Sequence, residues 1–573
     1  MEPQDVQTLA GCYALTAALS VLFLLAGRAV LRLTLPVEAG QTYPLSFRNG
    51  GGYFVGVTSF LLLFVALARA TGSARWGLGL ALGALVAASA AELLSGEGRP
   101  GRRQRLAFAA SFALLVAAFT LTNATCWVKV NPDYLDPTLM SHSGSIHAGR
   151  YGNYAVFIAD HDRVPYLAQN VGQSILASCH LMLGLRAPLA ALMAWLPFTL
   201  AALACLLFGL FRHAGLSPRW SASGAFFVLF CNIALSLVYI LVLDNGSPLG
   251  FAGYTDVLAA AATAVLAAVW LRALPPAPRP WRLALLPVLL AAGWCWYAPQ
   301  NVLVGGLAFA VAGLAKARRE GGLARLATEG ALFAAAAVAA GSQLGPFLPR
   351  GQREDIGAKV FEPRPEVYFH PYTQHVFSLW TDRHYGVSDR DVDYQASAAP
   401  SQRPAQLWLR RLALFETHLW TSLRLYGFLV LGLAAMAWRL RAGDAGLSVW
   451  FTLGLVCFGT GFAVAFGLVL GGHKWWLTRF LVPATALCLT GLVLAVAPRG
   501  RGSPARAAAF AALVLAGTAG PLVELGRTFR QKWAGPNRPL MLRSLAGVAR
   551  VKGRLAEAVA PPTGTVKNDP ARR

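Results

Sequence analysis

The chain has 573 residues, of which 56% are hydrophobic and only 13% are charged. A soluble globular protein carries about 25% charged residues, so this composition excludes a soluble enzyme of ordinary type. Apolar segments of about 20 residues, the length that crosses a bilayer as an α-helix, recur along the sequence. The composition therefore predicts an all-α, polytopic integral membrane protein.

The apolar segments predict about 12–14 transmembrane helices. Two pairs, 53–70 with 76–94 and 281–298 with 301–315, are the weakest candidates because they are short or closely spaced. In chain order the segments are 9–27, 53–70, 76–94, 105–125, 187–211, 222–243, 255–273, 281–298, 301–315, 326–347, 421–438, 447–470, 478–497 and 505–525.

Lys and Arg outnumber Asp and Glu by 50 to 26, which gives a formal net charge of +24. In a membrane protein, Lys and Arg concentrate in cytoplasmic connections. No basic patch here alternates with stacking aromatic residues, so nucleic acid is not an expected partner. With the N-terminus outside, the Arg-rich short connections become cytoplasmic, and the short outer ones hold only Arg69, Arg75 and Lys474.

This orientation places two long polar connections outside the membrane. It also divides the chain into six segments, of which the last is a basic tail whose side the sequence leaves open. The segments are 1–125 (four transmembrane helices), 126–186 (first outer loop, with amphipathic helices), 187–347 (transmembrane helices), 348–420 (second outer loop), 421–526 (last transmembrane helices) and 527–573 (tail).

Eight cysteines are scattered without a CxxC pair. Neither a zinc site nor a disulfide framework is therefore predicted. Cys126 and Cys179, which flank the first outer loop, are the one pair considered for a disulfide.

Two carboxylates follow the fourth apolar segment directly. Asp133 and Asp136 stand three residues apart between two prolines. A carboxylate at the membrane surface can act as a general base or hold a cation. Asp beside Pro is also an ordinary helix start, so the residues alone leave both interpretations open.

Two helices are predicted in the rest of the first outer loop. Residues 146–159 have helical periodicity, which predicts a helix along the outer interface with its aromatic face in the headgroup region. The residues on and beside that face are His147, Arg150, Tyr151, Tyr154 and Ile158. A second amphipathic stretch, 166–183, follows Pro165, with a polar face formed by Gln169, Asn170 and Gln173.

The second outer loop combines aromatic residues with His and Asp. Its candidate substrate-binding residues are His370, His375, Asp382 and His384. Such a mixture suits a sugar, whose apolar faces stack on rings while its hydroxyls bind polar groups. The irregular spacing of the histidines does not predict a zinc site. No metal ligand is assigned and no cofactor is indicated, although a divalent cation is left open.

A third group of candidates lies at the outer mouth of segment 478–497. His473, Lys474 and Arg479 surround a Trp-Trp pair there. An Arg about one turn inside an apolar segment is costly and therefore a functional candidate. Together with Lys474 it would bind a lipid phosphate through charge-assisted hydrogen bonds. Snorkelling to ordinary headgroups is the alternative.

The first outer loop resembles that of the GT-C glycosyltransferases, which are polytopic enzymes that use polyprenyl-phosphate sugars. The similarity lies in a span, an acidic residue, and two juxtamembrane helices joined by a turn with Pro. It is carried by the stretch Gly149–Ala155 and by Arg163-Val164-Pro165. The loop departs from the family in following the fourth span and in lacking an adjacent acidic pair.

The resemblance implies that a loop carboxylate is the catalytic base, which falls on Asp133 or Asp136, with Asp160 and Asp162 as further candidates. It also implies that Lys474 and Arg479 bind the carrier phosphate. The predicted function is transfer of a sugar from a polyprenyl-phosphate carrier to an extracytoplasmic glycan, lipid or protein, at a bacterial inner membrane. A transporter or flippase of a lipid-linked or anionic substrate, and a polysaccharide polymerase or ligase, are the alternatives.

Overall fold

A computed structural model of the chain describes thirteen stretches of residues, to which all structural statements below refer. They are 3–35, 43–95, 101–127, 146–164, 171–185, 188–233, 255–273, 286–293, 300–320, 322–341, 426–467, 474–499 and 504–533.

Helices make up nearly all of the described residues, and no strand occurs among them, which confirms the predicted all-α fold. In chain order they are α1 (Pro3–Thr34), α2 (Leu45–Thr71), α3 (Ala74–Leu94), α4 (Arg102–Trp127), α5 (Ile146–His161), α6 (Val171–Met182), α7 (Pro188–His213), α8 (Pro218–Val228), α9 (Thr255–Ala273), α10 (286–293), α11 (Gln300–Glu320), α12 (Leu323–Gly341), α13 (426–441), α14 (Ser448–Gly467), α15 (Lys474–Val496) and α16 (Pro504–Trp533).

Several of these helices are long and apolar enough to cross a membrane. Five described stretches meet that condition: Ala10–Thr34, Leu45–Thr71, Ala74–Leu94, Ala194–His213 and Ala445–Ala463. Shorter apolar helices occur at Leu258–Ala273, Gly330–Ala340, Leu481–Val496 and Pro504–Gly520. The chain is therefore an all-α protein of polytopic membrane type, and the total of 12–14 crossings stays a prediction.

The closely spaced segments 53–70 and 76–94 form two separate helices. The turn between them uses Gly72 at φ 69°, a left-handed conformation that glycine adopts without strain. Ser73 then caps α3, its side chain accepting a hydrogen bond from the backbone N–H of Trp76 at 3.2 Å. A two-residue turn of this kind explains how two spans fit into so little sequence.

Glycines bring α1 and α2 into backbone contact. A Cβ atom at Gly56 would overlap the carbonyl of Phe23, and one at Gly27 would overlap the carbonyl of Gly52. Small residues allow this approach, which in a membrane replaces the hydrophobic driving force with close van der Waals packing. The glycine-rich start of α2 also meets α7, where Gly50 faces the backbone of Ala202 and Leu206.

Helix α7 is the central element of the described bundle. Its apolar stretch Ala194–His213 is almost fully buried, and it packs against α1, α2, α4, α5, α6, α8 and α9. Trp195 of α7 stacks on Phe23 of α1, with ring centroids 5.8 Å apart. In contrast, α3 leaves Leu80, Val86 and Leu93 exposed, as expected for a helix facing lipid.

The Arg-rich connections gather at one end of the bundle, which is called the inner end below. The ring of Tyr43, before α2, lies 4.4 Å from that of His213 at the end of α7. Leu216, three residues later, forms a backbone bridge with Arg499 after α15. Arg28 and Glu92, from the ends of α1 and α3, pair at 2.9 Å. The connections predicted to be cytoplasmic thus share one face.

Adding one methyl group to α2 should destabilise the protein, whereas adding one to α3 should not. Gly56→Ala places a Cβ against the Phe23 carbonyl, and since backbone cannot move aside cheaply we expect a loss of about 1–3 kcal/mol. Gly83→Ala is the matched control, because a Cβ there meets open space. The measurement is the thermal unfolding midpoint of each variant in detergent. Equal midpoints for the two variants would contradict the close α1–α2 packing.

Candidate functional site

The structure places five of the candidate site residues. His147, Arg150 and Tyr151 lie in the first turns of α5, and Lys474 and Arg479 lie in the first two turns of α15. The remaining candidates lie outside the described residues: Asp133, Asp136, His370, His375, Asp382, His384 and His473.

Helix α5 confirms the helix predicted over 146–159 but not its surroundings. Tyr154 and Ile158 are only 1% and 0% exposed, and they belong to the main core of the bundle. The predicted aromatic face in the headgroup region is therefore wrong at these two residues. The reason is that α6 and α7 cover this side of α5, and Ala155 and Ala159 allow the helices to approach.

Helix α6 falls within the predicted stretch 166–183, yet its polar residues are not at the surface. Gln173, expected on a polar outer face, is buried, as are Ser174 and Ser178. Gln169 and Asn170 lie outside the described residues. The Cys179 thiol is free and donates to the carbonyl of Ile175 at 3.2 Å, so the disulfide considered for it is not formed. Helix α6 is thus an inner layer of the bundle.

His180 joins α6 to α1, a contact that no sequence pattern predicted. Its Nε2 lies 2.9 Å from Thr16 Oγ1 and 3.3 Å from the carbonyl of Cys12. Its Nδ1 lies 3.1 Å from the carbonyl of Leu176, and its ring meets Trp195 edge-on. A buried polar ring needs such partners. The only sequence signal was a single His inside an apolar stretch.

Asp162, directly after α5, docks the first outer loop onto the α2–α3 turn. Ser73 Oγ donates to Asp162 Oδ2 at 2.6 Å, and the backbone N–H of Arg75 donates to Oδ1 at 2.7 Å. The backbone N–H of Ala74 donates to the Asp162 carbonyl at 2.8 Å. Asp162 therefore supplies acceptors for the otherwise unpaired N–H groups at the start of α3.

These contacts bear on which loop carboxylate could act as the predicted base. Burial raises the pKa of Asp162, but the hydrogen bonds from Ser73 and Arg75, the charge of Arg75 and the Ala74 N–H outweigh it, so its pKa lies below the ordinary value. A carboxylate with a lowered pKa and both oxygens bonded is a poor proton acceptor. Asp162 thus leaves the set of candidate bases, whereas Asp160, exposed in the last turn of α5, stays in it.

The start of α3, the end of α5 and the start of α15 lie at the end of the bundle opposite the inner end, which is called the outer end below. Helix α3 begins beside Asp162 and ends at Glu92, on the inner end. Helix α15 ends beside Arg499, also on the inner end, so its first residue, Lys474, lies on the outer side about 35 Å away at 1.5 Å per residue. Helix α9 packs on both α7 and α15 and links the two regions.

No protein family, curated protein or solved structure matches this chain. In the part of the chain that the structure describes, no three His, Cys, Asp or Glu side chains are grouped closely enough to hold a metal ion.

Replacing the docking carboxylate should loosen the contact between the first outer loop and α3. Asp162→Asn keeps the size of the side chain but loses its charge, and loss of a helix cap costs about 1 kcal/mol. We therefore expect hydrogen exchange at the amides of Ala74 and Arg75 to quicken by about fivefold. Asp160→Asn is the control with the same charge change. Unchanged exchange in the Asp162 variant would contradict the cap.

The same contact should depend on pH in a defined direction. Because docking lowers the pKa of Asp162, its contribution is complete above the ordinary aspartate value of about 3.9 and is lost as pH falls through the lowered pKa. Exchange protection, corrected for the intrinsic rate, should thus be the same at pH 7 and pH 5 and should decline only below about pH 4.

Proposed function

We propose that this protein is a membrane glycosyltransferase of GT-C type that transfers a sugar from a polyprenyl-phosphate carrier to an extracytoplasmic acceptor. The observation that carries the proposal is the helix pair α5–α6. It follows the Asp133–Asp136 stretch, packs on the central helix α7, and ends at the same face of the bundle as the start of α15. The end of α5 and the start of α15, which lie at one end of the bundle, support a loop carboxylate and a pair of cations that act on one side of the membrane.

The proposed chemistry needs a base on one side of the sugar and cations on the other. The carboxylate of Asp133 or Asp136 takes the proton of the acceptor hydroxyl, and the acceptor oxygen attacks the anomeric carbon. The bond from that carbon to the phosphate oxygen breaks, and the carrier phosphate gains negative charge. Lys474 and Arg479 stabilise this charge through charge-assisted hydrogen bonds.

The other candidates contribute binding in this proposal. His147, Arg150 and Tyr151 precede the buried Tyr154 on α5 and would contact the donor at the outer end of the bundle. His370, His375, Asp382 and His384 of the second outer loop would bind sugar hydroxyls, and His473 would accompany Lys474 at the phosphate. A cation bound beside the carrier phosphate would add to the same charge stabilisation.

We further propose a bacterial inner membrane as its location, with 12–14 crossings and the Arg-rich inner end in the cytoplasm. The support is the sorting of charge between the two ends of the bundle. Residues from the Arg-rich connections meet at one end, and the Asp162 turn and the start of α15 lie at the other. Such sorting follows the preference of Lys and Arg for the cytoplasmic side.

The first test removes the base. Asp133→Asn with Asp136→Asn should lower transfer from a polyprenyl-phosphate sugar in proteoliposomes by at least about 100-fold, since general bases contribute 10²–10⁴-fold. Asp5→Asn at the outer start of α1 is the control for the charge change and should transfer normally. Full activity in the double variant would reject both bases and turn attention to Asp160. Movement of the lipid-linked sugar across vesicles without any transfer would indicate a flippase.

The second test separates carrier binding from chemistry. Lys474→Gln with Arg479→Gln should raise the KM for the polyprenyl-phosphate sugar and also lower kcat, because the cations bind the ground-state phosphate and stabilise the charge that develops on it. Arg69→Gln, which removes a cation at the outer end of α2, is the matched control. Unchanged KM and kcat in the double variant would reject the phosphate role.

A further inference from the structure

Arginines converge on one carboxylate at the inner end of the bundle. Asp444 lies in the connection between α13 and α14, where Arg439 Nη2 meets its Oδ2 at 3.0 Å and Arg499 Nη1 meets the same oxygen at 3.6 Å. Arg499 follows α15 and also donates from Nη2 to the carbonyl of Leu494 at 2.8 Å. Three helix ends thus meet at one acidic residue.

Two more arginines reach the same place from other helices. A Cβ built at Gly446 would lie 3.4 Å from both Arg272 Nη2 and Asp444 Oδ1, so the Arg272 guanidinium and the second carboxylate oxygen flank the same glycine. Burial lowers the pKa of the Arg499 side chain. The Asp444 carboxylate raises that pKa, whereas the charges of Arg439, Arg272 and Arg506 lower it further. Arg272, Arg439, Asp444, Arg499 and Arg506 are called the Asp444 cluster below.

Among the described residues, the guanidinium groups of Arg272, Arg439 and Arg499 lie around the single carboxylate of Asp444, which leaves these four side chains with a net positive charge. The Asp444 cluster contains four guanidinium groups and one carboxylate, and Lys316 adds a cation nearby by donating from Nζ to the carbonyl of Arg272 at 2.9 Å. Guanidinium groups that lie near one another repel because they carry the same charge. An anion placed among them would relieve that repulsion.

The cluster is open to a ligand, because its carboxylate is less deeply buried than that of Glu92 at the same end of the bundle. The Glu92 side chain, which binds Arg28 and Arg32, is only 5% exposed, although that of Arg32 is 35% exposed. The side chain of Arg499 is 39% exposed and that of Asp444 is 20% exposed. A phosphate group approaching from the inner surface can therefore reach the guanidinium groups of the Asp444 cluster.

An apolar surface adjoins the cluster. Arg439 lies two residues before the C-terminal end of α13. The same helix has three exposed apolar side chains: Val430 at 57%, Leu431 at 44% and Trp438 at 61%. Trp at the level of the headgroups and aliphatic residues deeper along the same helix are typical of a surface that contacts lipid. Charge and apolar surface together match the two halves of a phospholipid.

We propose that the Asp444 cluster is a binding site for an anionic phospholipid of the cytoplasmic leaflet. Its phosphate is held by the guanidinium groups of Arg272, Arg439 and Arg499, which match phosphate oxygens in forked geometry. Its acyl chains lie along α13, beside Val430 and Leu431. Basic pockets between helix ends on the cytoplasmic side are suited to such headgroups. The site lies at the opposite end of the bundle from the proposed transfer chemistry and is independent of it.

The test measures stabilisation of the purified, full-length protein by added lipid. Phosphatidylglycerol in mixed micelles should raise Tm by several degrees, and phosphatidylcholine at the same concentration should not. Native mass spectrometry should detect retained phosphatidylglycerol. Arg439→Gln with Arg499→Gln should abolish both effects. If that double variant fails to fold, Arg272→Gln takes its place, because it leaves the two ion pairs of Asp444 intact. It should reduce the Tm shift by at least half.

Matched controls decide the outcome. Arg318→Gln with Arg319→Gln removes two exposed cations at the inner end of α11, outside the cluster, and should keep the full lipid effect. An equal shift with phosphatidylcholine, or an equal loss in the control pair, would overturn the proposal. An equal shift with inorganic phosphate would assign the cluster to a free anion and reject the phospholipid.

Discussion

Backbone contact among α1, α2 and α7 holds the bundle together and sets the positions of the other helices. In a membrane the helices gain little from hydrophobic burial against one another, so close packing must hold them together. Glycines at positions 27, 52 and 56 provide that packing between α1 and α2, and Gly50 extends it to α7. Because α7 then carries α5 and α6 on another side, the position of the first outer loop follows from these glycines.

The polar contacts at the two ends of the bundle differ in kind. At the outer end, Asp162 and His180 tie the loop helices to α3 and α1, so a region that bears candidate catalytic residues is held by directional hydrogen bonds. At the inner end, Glu92 and Asp444 each bind two arginines, and the Asp444 carboxylate is the more exposed of the two. Hydrogen bonds at the outer end thus fix the loop helices, whereas ion pairs with arginines predominate at the inner end.

The candidate site was predictable from the sequence only in outline. The helix over 146–159 and the start of α15 follow from periodicity and apolar length, and both are present. Their surroundings were not predictable: Tyr154 and Ile158 are buried under α6 and α7, and Asp162 is a helix cap with a lowered pKa. Asp162 and Ser73 are 89 residues apart, and no local pattern in the sequence reports such a pairing.

From composition and apolar length alone, the class of protein, the described helices and the gathering of arginines in the short connections between them were predictable. Lipid offers no hydrogen bonds to the backbone, so an apolar segment long enough to span must be a helix, and arginines must leave the hydrocarbon. Which helix faces meet became clear from the packed structure alone. That choice depends on contacts such as His180 with Thr16, 164 residues apart, and on the arginines that four separate segments bring to Asp444. Such contacts arise from packing geometry, which residue types and their spacing do not encode locally.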